Sequence, residues 1–520
     1  MSFPAATSIS GADPAPPLSL PAGSDHHELR TDHLLADIGR RSVRGGAMMF
    51  AAQAVKVLAQ FGAVVILARL LPPAAFGLIA MTAALYAVLD PIRELGLSAA
   101  TIQKSDITHA QVSTLFWINV GLGTLVAAGL FLAAPLVARF YGEPELVAVT
   151  HWIALGFLIS GTGAQHWALL RRQMRFGSVA ILESSAEVIS FGVAIAAALA
   201  GAGYWALVIQ RLVSPTLITA GCWTLCRWRP GRPSLVPGLG ELLGYGGSLA
   251  GTTVIGIASR SIDQVLIGWF WGAGTLGLYE RAAKLLMLPL NNIVIPLYSV
   301  GMPALSRLTA DHERYRRVFG EILEKLAMMT VPAAAAIAAT ADWTTDILFG
   351  PQWSAAAPLV ACFAAVAAYQ PSMYVAGLLY MTQNRARELV RTSVIDAAIS
   401  VMVILLTLRY GTTVMAEALA AAGLFIRIPI GYWLATVRGP VRLGQLYATM
   451  LPSALAGIAI VGAIWVLRHF VLPHDIHPIL GLCAAVAAAA ATAGAVFWSL
   501  PKSRQGLLGV LSAGKLLVGA

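Results

Sequence analysis

Arg260 and Asp263 stand three residues apart in "SRSIDQVLIGWFWGAG" (residues 259–274), a stretch otherwise apolar enough to be the body of a membrane helix. Glu280, Arg281 and Lys284 follow a few residues on, and Glu183 and Glu187 lie four apart in "ILESSAEVIS". Spacings of three and four put each pair on one helix face. A charge at the centre of a membrane helix costs about 2.5–3.5 kcal/mol on the insertion scale, so such residues face protein or water. Two chemistries then compete. Lys56, Arg211, Arg260, Arg281, Lys284 and Arg427 are the basic residues at membrane depth, and a guanidinium fits the oxygens of a phosphate in a bidentate fork. Glu183, Glu187, Asp263 and Asp396 are the acids that suit a coupling proton or cation, with Asp90, Glu94, Glu280 and Glu417 at similar depth.

The plainer reading is structural. Arg260 neutralises Asp263, Lys284 neutralises Glu280, and both pins hold helices in their bundle. Glu183 beside Glu187 is unfavourable unless a cation sits between them or one is protonated. Arg211 in "VIQRLVSP" and Arg427 in "LFIRIPIG" are near enough to helix ends to snorkel. No catalytic set, metal set or cofactor motif emerges. His151 and His166 are isolated, and His469, His474 and His477 in "RHFVLPHDIHP" match no metal spacing. Cys222 and Cys226 are one helical turn apart rather than a redox or metal pair. With Cys362 and Cys483 they read as small buried hydrophobes.

The elements that must position these residues follow from composition. The 520 residues are 58% hydrophobic and 12% charged, and apolar stretches of about twenty residues, each long enough to cross a bilayer, recur from residue 45 to residue 500. The expected fold is an all-α polytopic membrane protein. About fourteen transmembrane helices are placed near 46–70, 75–98, 112–137, 146–169, 179–200, 203–226, 243–270, 274–302, 322–342, 355–382, 391–408, 412–436, 446–467 and 479–499. Short connectors with turn chemistry join them, such as "LLPPAAFG", "YGEPE", "GAG" and "RYGTT". The segment "SRLTADHERYRRVFGEILEKL" reads as an amphipathic surface helix. Pro91, Pro289, Pro296 and Pro303 interrupt spans or their ends, and Trp152, Trp205 and Trp353 fit interfacial belts.

Most of the 35 Lys and Arg fall on alternate connectors, in "RRQMRF", "RWRPGR" and "NRAREL" among others, whereas Arg69, Arg139, Arg409 and Arg468 mark the opposite side. The bias predicts that both termini are cytoplasmic. The net charge of +10 is explained by an anionic membrane surface and calls for no nucleic acid. The first thirty residues lack the apolar region of a secretory signal and read as a disordered tail.

Sliding the chain along itself aligns "VVILARLLPPAAFGLIA" (64–80) with "QVLIGWFWGAGTLGLYE" (264–280), so that Gly77 and Leu78 fall on Gly277 and Leu278, and Val65 on Val265. Each copy is a helix end, a small-residue turn and the start of the next helix. The spacing predicts parallel repeats of about six helices, related by an axis along the membrane normal. The expected organisation is a cytoplasmic tail (1–44), an N-lobe of six helices (45–226), a cytoplasmic linker (227–242), a C-lobe of six helices (243–436), two further helices (446–500) and a cytoplasmic tail (501–520). Such proteins bind cargo between their lobes.

The passages "ARLLPPAAFGLIAM", "DPIRELGLSAATIQ", "RSIDQVLIGWFWGAGTLGLYERAAKLLMLPLNNIVIPLYSVGMPALSRL" and "ILFGPQWSAAAPLV" resemble the polysaccharide exporters, the Wzx-type flippases of the multidrug/oligosaccharidyl-lipid/polysaccharide superfamily. The resemblance runs over roughly 40–500. It implies two six-helix lobes in a V and alternating access across the bacterial inner membrane. It also implies an undecaprenyl-diphosphate-linked oligosaccharide as cargo, with a polysaccharide polymerase and chain-length regulator as partners. It assigns no ligand residue, so the six cations and four acids remain expectations from position and charge. A cation-coupled multidrug antiporter of the same superfamily and a flippase for the lipid-linked peptidoglycan precursor are the competing readings. An integral-membrane enzyme would need an extramembrane domain or a partnered membrane histidine, and the sequence predicts neither.

Overall fold

The computed structural model describes residues 38–104, 106–234, 239–473, 476–500 and 503–504, with side chains from Gln53 on and not at every position between 239 and 300. The first half holds α1 (Ile38–Leu70), α2 (Pro73–Glu94), the short α3 (Leu97–Gln103), α4 (His109–Tyr141), α5 (Leu146–Arg172), α6 (Phe176–Leu199) and α7 (Trp205–Leu225). The second half holds α8 (Leu239–Ser306), α9 (His312–Ala339), α10 (Ala341–Phe349), α11 (Ala357–Thr382), α12 (Ala386–Thr407), α13 (Thr412–Ala422) and α14 (Ile428–Thr436). Two helices follow, α15 (Leu443–Val466) and α16 (Pro478–Ser499). Among the described residues, twelve spans are long and apolar enough to cross a membrane, and no strand is present. The chain is an all-α, multi-pass membrane protein.

The two arms of α8 (239–271 and 273–306) occupy the predicted spans 243–270 and 274–302. They meet at Gly272, whose φ of 76° lies in the left-handed region that only glycine enters freely. On a straight helix Asp263 and Tyr279 would stand about 24 Å apart; here the Tyr279 hydroxyl donates to Asp263 Oδ2 at 2.9 Å. The arms therefore fold back on each other. Gly272 is the only non-helical position inside α8, so Pro289, Pro296 and Pro303 do not interrupt it.

Other expectations shift in position. The second span ends at Glu94, because Leu95 and Gly96 are both left-handed (φ 45° and 61°) before α3 begins. The segment read as a separate amphipathic surface helix is the first part of α9, which runs unbroken from His312. Its apolar face is not at a surface: Tyr315 and Phe319 are buried, and the Tyr315 hydroxyl bonds Thr382 Oγ1 at 2.7 Å. Trp353 belongs to no interfacial belt; it is fully buried. Cys222 and Cys226 are buried as expected, whereas Cys483 is exposed. The stretch after α7 is tied down along α4. Trp228 Nε1 donates to His109 Nδ1 (3.0 Å), Trp117 Nε1 to the Gly231 carbonyl (2.8 Å), and Gly231 N to Ser113 Oγ (2.9 Å).

The halves meet where the sequence repeats. A Cβ at Gly77 would lie 1.7 Å from the Ala273 carbonyl oxygen, and a Cβ at Gly277 would lie 1.9 Å from the Pro73 carbonyl oxygen. In the repeat alignment Gly77 matches Gly277 and Pro73 matches Ala273, so each copy makes the other's contact. That reciprocity is the mark of a two-fold interface. Further ties reinforce this end. Glu143 Oε1 accepts from Ala273 N (3.2 Å), and Gln352 Nε2 and Trp353 Nε1 donate to the Ala68 carbonyl (2.8 and 2.7 Å). Arg69 donates to the carbonyls of Ile347 and Leu348.

At the same end, α15 and α16 pack on α9 and α10, and Arg468 grips Asp342 through two hydrogen bonds of 2.9 and 2.5 Å. Burial alone would raise the Asp342 carboxyl; the hydrogen bonds and charge of Arg468 outweigh it and hold it below the usual carboxylate range. A depressed carboxyl contributes stability above the unfolded value of about 3.9 and loses it as pH falls through the folded value. Thermal melts in detergent are therefore expected to show wild type losing stability below about pH 4, with Asp342→Asn weaker at neutral pH and flatter over that acid range. Gly77→Ala must push the α2 and α8 backbones apart, and is expected to cost about 1–3 kcal/mol. Gly274→Ala, where nothing lies within 4 Å, is the control that should melt like wild type.

Candidate functional site

Directly beneath the Gly77–Gly277 crossing, a cavity of about 380 Å³ lies between the halves. It is walled mainly by α1, α2, α5, α6 and α7 of the first half, with Glu280, Arg281 and Lys284 on the second arm of α8 closing one side. Three of the six predicted cations line it: Arg211, Arg281 and Lys284. Arg281 is one helical turn below Gly277 and Lys284 two turns below, so the backbone contact that joins the halves also sets the depth of both charges.

Arg281 is 8% exposed and its guanidinium stacks over the Phe76 ring at 4.1 Å, a contact across the half-to-half boundary. Such cation–π contacts contribute about 0.5–2 kcal/mol. Its Nε donates to Glu280 Oε2 at 2.8 Å, and Lys284 Nζ bonds the other carboxylate oxygen. Glu280 is thus held by two cations and is 6% exposed, whereas the Lys284 side chain is 45% exposed. Arg211 makes no ion pair with the described residues. The wall opposite α8 carries Arg211 and Glu187 among polar and apolar residues, and Glu187 Oε2 accepts from Ser214 Oγ at 3.0 Å. Gln60, Tyr86, Ser190 and Gln210 complete that wall. Three cations against two carboxylates leave the cavity one positive charge in surplus.

The remaining predicted residues stand elsewhere. The Arg260 side chain lies outside the described residues. Lys56 is half-buried on α1, one turn from Gln60, and is not among the residues that line the cavity. Arg427 does not snorkel and does not face the cavity. It makes a bidentate pair with Asp396 (Nε–Oδ1 2.6 Å, Nη2–Oδ2 2.7 Å) from a π-helical turn, Gly423–Arg427. Asp396 is therefore already neutralised by a guanidinium. Asp263 does not line the cavity; it accepts from Tyr279 and from Gln264 N (2.8 Å). Glu183 and Glu187 share a helix face without a cation between them among the described residues. Each turns to a different neighbour, Glu183 accepting from Trp167 Nε1 at 2.9 Å.

Both isolated histidines are packed against rings: His151 stacks on Phe131 (3.8 Å) and His166 on Trp223 (4.2 Å). The sequence reading missed the polar wall. Gln60 and Gln210 each accompany a predicted cation, one turn from Lys56 and next to Arg211, so polar residues interrupting apolar helices were the available signal.

Membrane helices of both halves thus contribute to a cavity with a positive surplus. The fold is shared with solved membrane proteins of two kinds. It superposes on the lipid II flippase MurJ in an inward closed conformation with a TM-score of 0.66 at 11% identity, over 88% of this chain and 99% of that one. It matches a multidrug resistance MATE family transporter in an inward-facing conformation with a TM-score of 0.55 at 12% identity, over 78% and 95%. The chain belongs to the family described as polysaccharide biosynthesis protein, whose profile matches residues 66–358. Curated relatives include the teichuronic acid biosynthesis protein TuaB of Bacillus subtilis (27% identical, over 57% of this chain and 62% of that protein). The lipopolysaccharide biosynthesis protein WzxC of Escherichia coli is 24% identical over 57% and 60%. The succinoglycan biosynthesis transport protein ExoT of Rhizobium meliloti is 25% identical over 59% and 62%. The matches thus span about three-fifths of the length of these relatives.

The Arg427–Asp396 pair yields a direct test. Its side chains are 24% and 34% exposed, so removing one partner should cost less than in a fully buried pair, about 2 kcal/mol. Arg427→Ala is expected to lower the melting temperature, and the double variant with Asp396→Ala to recover part of that loss in a double-mutant cycle.

Proposed function

We propose that this protein is a flippase that moves a polyprenyl-diphosphate-linked oligosaccharide across the bacterial inner membrane for polysaccharide synthesis. The observation that carries the reading is the cavity between the halves, in which Arg211, Arg281 and Lys284 converge. A diphosphate needs cations, and the glycan next to it needs hydrogen-bonding walls; Gln60, Gln210, Ser190 and Ser214 supply donors and acceptors of that kind. The positive surplus disfavours the cationic cargo of a multidrug antiporter. The names of TuaB, WzxC and ExoT, which concern polysaccharide biosynthesis or transport, agree with this cargo.

The helices divide into two six-helix lobes with two additional helices, fourteen spans in all, when each arm of α8 crosses the bilayer. Both termini then face the cytoplasm, where the excess of Lys and Arg belongs. The end closed by Gly77, Gly277, Gln352 and Glu143 faces the periplasm. Cargo enters from the cytoplasmic side, and release requires that this closed end separate while the opposite end draws together. Gln53 Nε2 already donates to Asn292 Oδ1 (3.0 Å), two turns below the cavity. No chemical step is assigned to the protein; a polymerase and a chain-length regulator act on the cargo after transfer.

The test is translocation in proteoliposomes of a polyprenyl-diphosphate oligosaccharide labelled on its glycan. Wild type should move the label to the opposite leaflet. Arg211→Ala and Lys284→Ala should each reduce the initial rate about tenfold, as expected for loss of one charge-assisted contact, with Arg211→Ala, which breaks no ion pair among the described residues, melting like wild type. Equal rates in all three proteins would remove the cavity cations from the mechanism.

A further inference from the structure

In the structure the cations of the cavity are not waiting bare for cargo. Glu280 Oε2 accepts from Arg281 Nε at 2.8 Å, and its Oε1 is held by Lys284 Nζ. The carboxylate thus occupies the two basic groups of the α8 wall at once, much as two phosphate oxygens would. The donors it leaves over face the cavity: Arg281 Nη1 and Nη2 form no hydrogen bond with the described residues, and neither does the Arg211 guanidinium. We propose that Glu280 is a resident counter-anion, a tethered stand-in for the cargo's diphosphate that holds Arg281 and Lys284 when the cavity is empty and yields Lys284 when the cavity is loaded. This rests on the reading of the cavity as a diphosphate site.

Charge balance supports the exchange. The cavity carries Arg211, Arg281 and Lys284 against Glu187 and Glu280, a surplus of one positive charge. A diphosphate diester brings two negative charges, for which the surplus supplies one cation, so a second contact has to come from a cation already held by a carboxylate. Glu187 is bonded to Ser214, a neutral partner, and has no cation to surrender. Glu280 has two. The Lys284 side chain is the more exposed of them, at 45% against 9% for Arg281, and is the one placed to turn to the ligand.

The same arrangement addresses the return step. A transporter that reorients empty must carry its binding groups through a closed state in which water is scarce. Cations buried there without a counter-charge are strongly disfavoured. With Glu280 in place both α8 cations keep an anionic partner when the cavity is empty and one of their two charges is neutralised, the diphosphate adding to this when it is loaded. A carboxylate with a purely architectural role, by contrast, would tie α8 to itself and leave ligand affinity untouched.

The first measurement is binding of geranylgeranyl diphosphate to the full chain in detergent, by titration calorimetry. Removing a competitor should tighten binding, so Glu280→Gln is expected to lower Kd by roughly five- to tenfold, within the range of ordinary coupling between sites. The charge-balanced variant Glu280→Gln/Lys284→Gln keeps the wild-type cavity charge and guards against misfolding; it should bind within threefold of wild type. Unchanged or weaker binding by Glu280→Gln, or loss of binding by the double variant while it remains folded, would overturn the proposal. The second measurement compares net flipping with exchange in proteoliposomes loaded with cargo on both sides. Glu280→Gln should slow net flipping more than it slows exchange, since only net flipping includes the empty return; an equal fall in both would count against a role in that step. If wild type moves no labelled cargo but Glu280→Gln still binds the diphosphate more tightly, the counter-anion stands and the oligosaccharide cargo falls. If wild type moves the cargo and Glu280→Gln binds no more tightly, the reverse holds.

Discussion

The rest of this structure depends on a contact between two backbones. At Gly77 and Gly277 there is no room for a single carbon, because the carbonyls of Ala273 and Pro73 stand where a Cβ would be. Close approach of helices in a membrane is driven by packing and backbone contact rather than by water, and small residues are what permit it. From this crossing α2 and the second arm of α8 descend on either side of the cavity. Arg281 reaches Phe76 at 4.1 Å, just below the glycines, because the helices are this close. A wider crossing would also open the end that Glu143, Gln352 and Trp353 now hold shut.

The second organising constraint is the treatment of charge away from bulk water. Most ionised groups at membrane depth have a short-range partner from their own or a neighbouring helix. Arg427 and Asp396 form a bidentate pair, Arg93 bonds Asp90 at 2.9 Å, and Glu280 serves two cations. Asp263, Glu183 and Glu187 are instead held by hydroxyl or indole donors. Against that background the cavity is distinct, since Arg211 and the terminal nitrogens of Arg281 are left with their donors uncommitted among the described residues. That local departure from neutrality is what a site for an anion requires.

The two-fold relation between the halves is exact enough to seal one end and loose enough to make the walls differ. Position 281 is arginine where the first copy has Met81, and 284 is lysine where the first copy has Ala84. Two of the three cavity cations therefore belong to the second half, while Arg211 and the uncharged polar residues come from the first. The repeated sequence supplies the reciprocal contact, and the differences between its copies place Arg281 and Lys284 on one side of the cavity only.

Much of this was legible in the residues. Runs of apolar side chains as long as a bilayer is thick leave the backbone no option but helix, so spans could be placed to within a few residues. The Gly77–Gly277 match announced the repeat because a glycine at a close crossing cannot drift. Charges at membrane depth could be named because their cost forces them to face something. What they face was decided only by tertiary structure. A residue's depth along a helix is written in the sequence, but its neighbour on another helix depends on crossing angle and rotation. Hence Arg211 and Arg427 looked alike as cations near helix ends, and only packing turned one toward a cavity and the other onto Asp396. The turn at Gly272 shows the same division. Its residue type permitted a left-handed break, while the pairing of Asp263 with Tyr279 across the two arms arose only once the chain had folded back.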